Sequence, residues 1–277
     1  MSLSLRTNVT SLDAQRNLYQ TSLQLDSSMG RLSSGYRITK AGDDAAGLGI
    51  SVNLEAQIRS YNQAVRNAND GLSVVQTAEG AMNEVTNILT RMRELAMESA
   101  SDGVGNTQRG YIQTETNQLA SELDRIDATT KFNGNTIFGA ANALLFQVGV
   151  GATTNDSISV DTTGMHVDST TLGVNALNLN TDATTSQGNL TAIDAAVDLI
   201  SGNRAALGAA GNRFNSTISN IQSMVVNFSA ADSRIRDVDV ASETSNLSKS
   251  QILLQAGVSV LSQANQQPQL ALKLLGG

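Results

Sequence analysis

Leu54-Glu-Ala-Gln-Ile-Arg-Ser-Tyr-Asn-Gln-Ala-Val-Arg-Asn-Ala-Asn-Asp-Gly-Leu72 is the stretch on which the fold turns. Its apolar residues Leu54, Ile58, Tyr61, Val65, Ala68 and Leu72 advance by alternating steps of four and three. The series continues through Val75 and Met82 with one miss, at Glu79. That is the period of an α-helix, so these residues share one face. A helix unbroken from 44 to 100 is about 85 Å long at the standard rise per residue. Such a rod needs other helices laid along it, and a single globular core does not require it.

Working toward the N-terminus, Asp43 or Asp44 is placed to cap the rod, because a carboxylate satisfies the free amides of a first helical turn. Residues 34–47 break the periodicity and read as an irregular connector. A first helix is predicted over about 3–33, stopping at Ser34-Gly35. It carries two tracks of period seven, Leu5, Leu12, Tyr19 and Leu18, Leu25, Leu32. The other end repeats the spacing with Val240, Leu247, Leu254 and Leu261, joined by Val258, over a last helix at about 239–275 that Pro268 is expected to kink. Seven residues make about two turns, so each track is a narrow stripe of the kind that pairs helices side by side.

Beyond the rod, Ser101–Asn106 is a turn, and Ile112, Leu119, Leu123 and Ile126 mark a shorter helix. Helical periodicity resumes near Leu190 and runs through Ile193, Val197, Ile200, Leu207, Phe214 and Ile221 to Ile235. The residues between differ. Asn133-Gly134 is a hairpin signal, 144–150 and 157–160 are short strand candidates, and 180–189 reads as a polar loop. The predicted fold is mainly α, with long amphipathic helices paired as a coiled coil or bundle and a small antiparallel β-hairpin region. Four segments follow: 1–44, 45–179, 180–238 and 239–277.

Composition narrows the function. There is no cysteine or tryptophan, one histidine, one proline and 3% aromatic residues, which suits long aliphatic helices better than a compact enzyme core. A net charge of −7 argues against a nucleic-acid binder, and no apolar run approaches the roughly 18 residues of a membrane span. The first ten residues lack the charged and apolar regions of a cleavable signal peptide. Gly42–Gly49 lacks the Lys-Ser/Thr of a phosphate loop and reads as a helix start with small residues for close packing. Asp237 and Asp239 have no pocket to work in. His166 lies in a Thr/Asp-rich segment with no second histidine or cysteine, so it reads as a surface residue. No catalytic residues, no metal and no cofactor are expected.

Several motifs together resemble bacterial flagellin: Leu32-Ser-Ser-Gly-Tyr-Arg-Ile-Thr-Lys-Ala-Gly-Asp-Asp-Ala-Ala-Gly47, Asn67-Ala-Asn-Asp-Gly-Leu72, Arg93-Glu-Leu-Ala96, Phe132-Asn-Gly134, and the run from Ser233 to Gln269. The resemblance implies a filament subunit without large outer domains. Its terminal helices would form the inner D0 tube, and the long helix, its partner helices and the hairpin region would form D1. It implies secretion by the flagellar export route and an extracellular place in the filament. Its implied partners are copies of itself, an export chaperone on the C-terminal segment, the hook-associated junction and cap proteins, and a flagellin-sensing Toll-like receptor contacting Arg91, Leu95 and Glu115. Leu274 and Leu275 resemble the tail read by cytosolic flagellin sensors. The apolar stripes at 1–33 and 240–275 have no globule to lie on, so these ends are expected to fold on assembly. A hook–filament junction protein is the main rival; it would preserve the D1 motifs poorly, and here they are intact.

Overall fold

The computed structural model describes residues 7–139 and 143–275, excluding the side chains of 267–275. Its described elements are α1 (Val9–Ser34), α2 (Ala45–Ser99), α3 (Asn106–Thr129), β1 (Lys131–Phe132), β2 (Asn135–Thr136), β3 (Leu144–Gln147), β4 (Ser157–Val160), α4 (Ala183–Arg236) and α5 (Val240–Leu275). The chain is mainly helical, with two small antiparallel pairs, β1–β2 and β3–β4. It divides into two compact units, one formed by residues up to Ala56 and from Asn227 onward, the other by Gln57–Val226. Among the described residues, no helix is long and apolar enough to cross a membrane.

The second unit has a single core. Ala64, Ala68, Val75, Met82, Leu89, Met92 and Leu95 from α2 meet Ile112 and Leu123 from α3 and Ile193, Ile200, Leu207, Phe214 and Ile221 from α4. The gap in periodicity at Glu79 is closed by Ala78, which is fully buried. Phe214 sets the local geometry: its ring meets Phe146 of β3 edge-on at 5.6 Å and lies where a Cβ on Gly71 would sit, 2.5 Å from Cζ. The glycine in the Asn67–Leu72 motif is thus a space requirement. Asn67 of the same motif donates from Nδ2 to the Gln147 carbonyl at 2.9 Å, which fastens β3 to α2.

The Asn133-Gly134 signal forms the hairpin turn it predicts. Asn133 and Gly134 both take positive φ, 50° and 83°, and make the two-residue turn between β1 and β2. The expected polar loop at 180–189 is corrected. Helix α4 starts at Ala183, with the Asp182 carboxylate accepting from the Thr185 amide at 2.6 Å. These residues are polar because they form exposed opening turns of a helix, while Ser186 is buried with Oγ 3.0 Å from Ser99 Oγ. At the other end of the rod, Asp44 is the cap, its Oδ1 accepting from the Gly47 amide at 2.8 Å. Asp43 closes the connector instead, accepting from the Thr39 amide and hydroxyl and the Lys40 amide. The Thr39 hydroxyl, with these amides, holds the Asp43 carboxyl below its ordinary pKa.

Candidate assembly interface

Helix α1 begins at Val9, later than expected, because Asn8 caps it: the side-chain oxygen accepts from the Ser11 amide at 3.1 Å. The same side chain donates from Nδ2 to the Ala264 carbonyl at 2.9 Å, so one residue starts α1 and ties it to α5. Ser11 Oγ donates to Asn265 Oδ1 at 2.8 Å, and Arg31 faces Glu243 at 3.9 Å. Residue 8 meets 264 and residue 31 meets 243, so the helices run antiparallel. Helix α5 continues through Pro268.

At the turn between these helices and the rest of the unit, Gly35 stops α1 in the left-handed conformation, donating to the Arg31 carbonyl at 2.9 Å. The connector then pairs with the α4–α5 junction. Arg37 N–H donates to the Arg236 carbonyl at 2.6 Å, Val238 N–H to the Gly35 carbonyl at 3.0 Å, and Tyr36 bridges Asp237. The Arg236 guanidinium stacks 4.1 Å above the Tyr36 ring, a cation–π contact that accounts for both residues in their motifs.

The seam between α1 and α5 differs from the one large apolar residues advertise. Leu18, Leu25 and Leu32 are half-buried, as are Leu247, Leu254 and Leu261. A second heptad track lies beside them and is deeper: Glu243, Ser250, Gly257 and Ala264, with three of the four buried. Its members are mostly small, and a Cβ on Gly257 would sit 2.8 Å from Leu18. A search for leucines misses this track, whose signal is small residues recurring every seven.

The remaining predicted interface residues divide clearly. Leu12, Tyr19, Val240 and Val258 are 55–67% exposed. Val9, Leu23, Met29 and Ile252 are also exposed, so the helix pair presents apolar side chains away from its own seam, while the exposed Leu253 and Val260 flank the seam in a cleft shared with Ala14 and Leu18. Leu5 lies outside the described residues, as do the side chains of Leu274 and Leu275.

In the other unit, Arg91 donates from Nε to Glu115 Oε1 at 2.9 Å and from Nη1 to Glu94 Oε2 at 3.1 Å. The Glu115 and Glu94 carboxylates raise the Arg91 pKa further above its ordinary value. Leu95 lies in the core at 1% exposure. Arg93 bonds Asp194 at 2.7 Å, linking α2 to α4 and holding the Asp194 carboxyl below its usual pKa.

Paired terminal helices with a second, exposed apolar face are the architecture of a structural protein, since large exposed apolar patches mark interaction surfaces. Residues 5–143 match the bacterial flagellin N-terminal helical region and residues 190–275 the bacterial flagellin C-terminal helical region. The chain belongs to the bacterial flagellin family and is a structural subunit of the flagellar filament. A flagellin from Halalkalibacterium halodurans is 42% identical over 268 residues, covering 97% of this chain and 98% of that one. The flagellar filament 33 kDa core protein of Treponema phagedenis is 37% identical over 280 residues, with the same coverage. A solved chain from Vibrio parahaemolyticus assigned as a flagellar hook-associated protein matches with a TM-score of 0.61 at 14% identity, over 70% of this chain and 100% of that one. At that identity the likeness concerns the fold alone.

Proposed function

We propose that the outward apolar residues of α1 and α5 are the surface through which subunits build the inner tube of the filament, and that these helices become stably ordered only when neighbours cover them. The exposure of Leu12, Tyr19, Val240 and Val258 beside a small-residue seam carries this reading. An isolated helix pair has little stability of its own, so covering the second face supplies what folding needs. Repeated contacts that do not close produce a helical polymer. In this reading residues 1–44 and 239–277 are D0, and the segments between them are D1. The role is structural, without catalysis, and the filament is extracellular. The export chaperone is expected on the C-terminal segment, and hook-associated junction and cap proteins at the filament ends.

Recognition by a flagellin-sensing Toll-like receptor is proposed at Arg91 and Glu115, whose exposed ion pair offers a polar contact, with Leu95 supporting that surface from beneath. Leu274 and Leu275 are the proposed contact for cytosolic sensors. The deciding experiment is electron microscopy of monomer seeded with short filament fragments. Full-length protein should grow long tubes, and a Leu12→Asp/Tyr19→Asp variant with an unchanged monomer melting temperature should grow none. Tubes from the variant would remove α1 from the interface, and short capped stubs from the parent chain would favour a junction protein.

A further inference from the structure

The only histidine of the chain is not alone in space. His166 Nδ1 lies 3.6 Å from Asp127 Oδ2, in the last turn of α3, and 3.9 Å from Asp168 Oδ1, two residues along the segment that follows β4. The three ligand atoms lie within 4.8 Å of one another. Residues two apart in extended chain project to the same side. His166 and Asp168 are accordingly half-buried together, while Val167 and Ser169 turn inward and are buried.

Each carboxylate is oriented by the backbone through one oxygen, leaving the other free. Asp127 Oδ1 accepts from the Val167 amide at 2.9 Å. Asp168 Oδ2 accepts from the Thr170 amide at 3.2 Å and the Thr171 amide at 3.1 Å. Asp168 Oδ1 is shielded from solvent and has no hydrogen-bond partner, an arrangement that is costly unless something supplies positive charge. The imidazole is also fixed. It rests on Gly139, where a Cβ would overlap Cε1 and stand 2.6 Å from both ring nitrogens.

From this geometry we propose that Asp127, His166 and Asp168 form a divalent-cation site, selective for a borderline ion such as Zn²⁺. The separations of 3.6 and 3.9 Å are too long for a ring N–H to bond either carboxylate directly. They suit an ion between the groups, with bonds of about 2.0–2.2 Å once the three side chains, whose ligand atoms already lie within 4.8 Å, draw together around it. One imidazole nitrogen and two carboxylate oxygens leave a fourth position for water, and the 43% exposed His166 side chain leaves a way in. Ca²⁺ requires six to eight oxygens and Mg²⁺ a near-ideal octahedron of them, whereas an imidazole ligand favours Zn²⁺ and its neighbours. Two carboxylates also balance the dication's charge. The bound ion would clamp the end of α3 to the segment carrying the buried Val167, Leu172 and Val174.

The test uses the full-length monomer. Zn²⁺ titration by calorimetry should show saturable binding at one site, and ¹H–¹⁵N spectra of the single histidine should report coordination through Nδ1. His166→Gln, with unchanged circular dichroism, should weaken binding at least about tenfold, and Asp127→Asn should do the same if the glutamine variant misfolds. Zn²⁺ should raise the melting temperature of the parent chain and leave that of the variants unchanged. Equal affinity in the variants, Ca²⁺ binding as tightly as Zn²⁺, or an Nδ1 resonance unmoved at saturation would each overturn the site.

Discussion

Phe214 shows how much of the helical bundle rests on single side chains. It is wholly buried, wedged between Gly71 and the Phe146 ring. Phe214→Ala should cost about 3–5 kcal/mol in urea denaturation, because the cavity cannot fully collapse between two long helices. Gly71→Ala attacks the same contact from the opposite side and should cost about 1–3 kcal/mol by overpacking. Arg109 does comparable work with charge. Nearly buried, it donates from Nε to the Ser99 carbonyl at 3.0 Å, from Nη2 to the Ser101 carbonyl at 3.0 Å and from Nη1 to Asn106 Oδ1 at 3.2 Å. It thereby satisfies carbonyls where α2 stops and fixes the start of α3. Arg109→Ala should lower stability by about 2–4 kcal/mol, since it leaves buried acceptors unmatched. Arg109→Lys should recover little, because an ammonium lacks the planar fork that reaches three acceptors.

At the level of the element, the terminal pair depends on a small-residue seam. Gly257→Leu would force Leu18 away and separate α1 from α5, whereas Ser248→Ala, at an exposed position of the same helix, leaves the seam intact. Seeded polymerisation followed by light scattering should therefore be abolished by the first substitution and persist with the second. The long rod depends on its cap as well as its stripe. Asp44→Ala should cost about 1 kcal/mol by freeing the Gly47 amide, and Asp44→Asn should restore most of it. Chemical denaturation of the two variants in parallel separates capping from charge.

For the whole molecule, charge and pH act through carboxylates spread over the structure. Five of them illustrate the trend. Asp43 is lowered chiefly by the Thr39 hydroxyl, Asp156 by the Thr153 hydroxyl and Asp161 by the Thr163 hydroxyl. Asp182 is lowered chiefly by the Thr185 amide, and Asp194 by Arg93. A carboxyl with a lower pKa in the folded chain than in the unfolded one binds fewer protons when folded. Its contribution is present above the unfolded value and is lost as pH falls through the folded one, so stability should decline below about pH 4. Melting curves at pH 7, 4 and 3 should show that decline, and Asp182→Asn combined with Asp194→Asn should make it shallower. A flat profile would mean that these hydrogen bonds persist in the denatured chain.

The sequence by itself determined what depends on local spacing and local chemistry. The 3.6-residue period of 54–82 makes a long helix because those side chains must share a face, and Asn133-Gly134 makes a turn because both residues tolerate positive φ. The motif resemblance carried the family in the same way, through short runs in fixed order. The start of α4 at Ala183 was legible in principle, in Asp182 three residues before Thr185, but polar opening turns resemble a loop when only apolar period is followed. Tertiary structure decided what depends on residues distant in the chain. It set Gly257 against Leu18, selected the small-residue track as the deeper side of the seam, and buried Leu95 while leaving the Arg91–Glu115 pair exposed. It also brought Asp127 to His166 across thirty-nine positions, where no spacing rule reaches. A helix face is fixed by its own period, whereas the group that meets that face is fixed only when the chain returns to it.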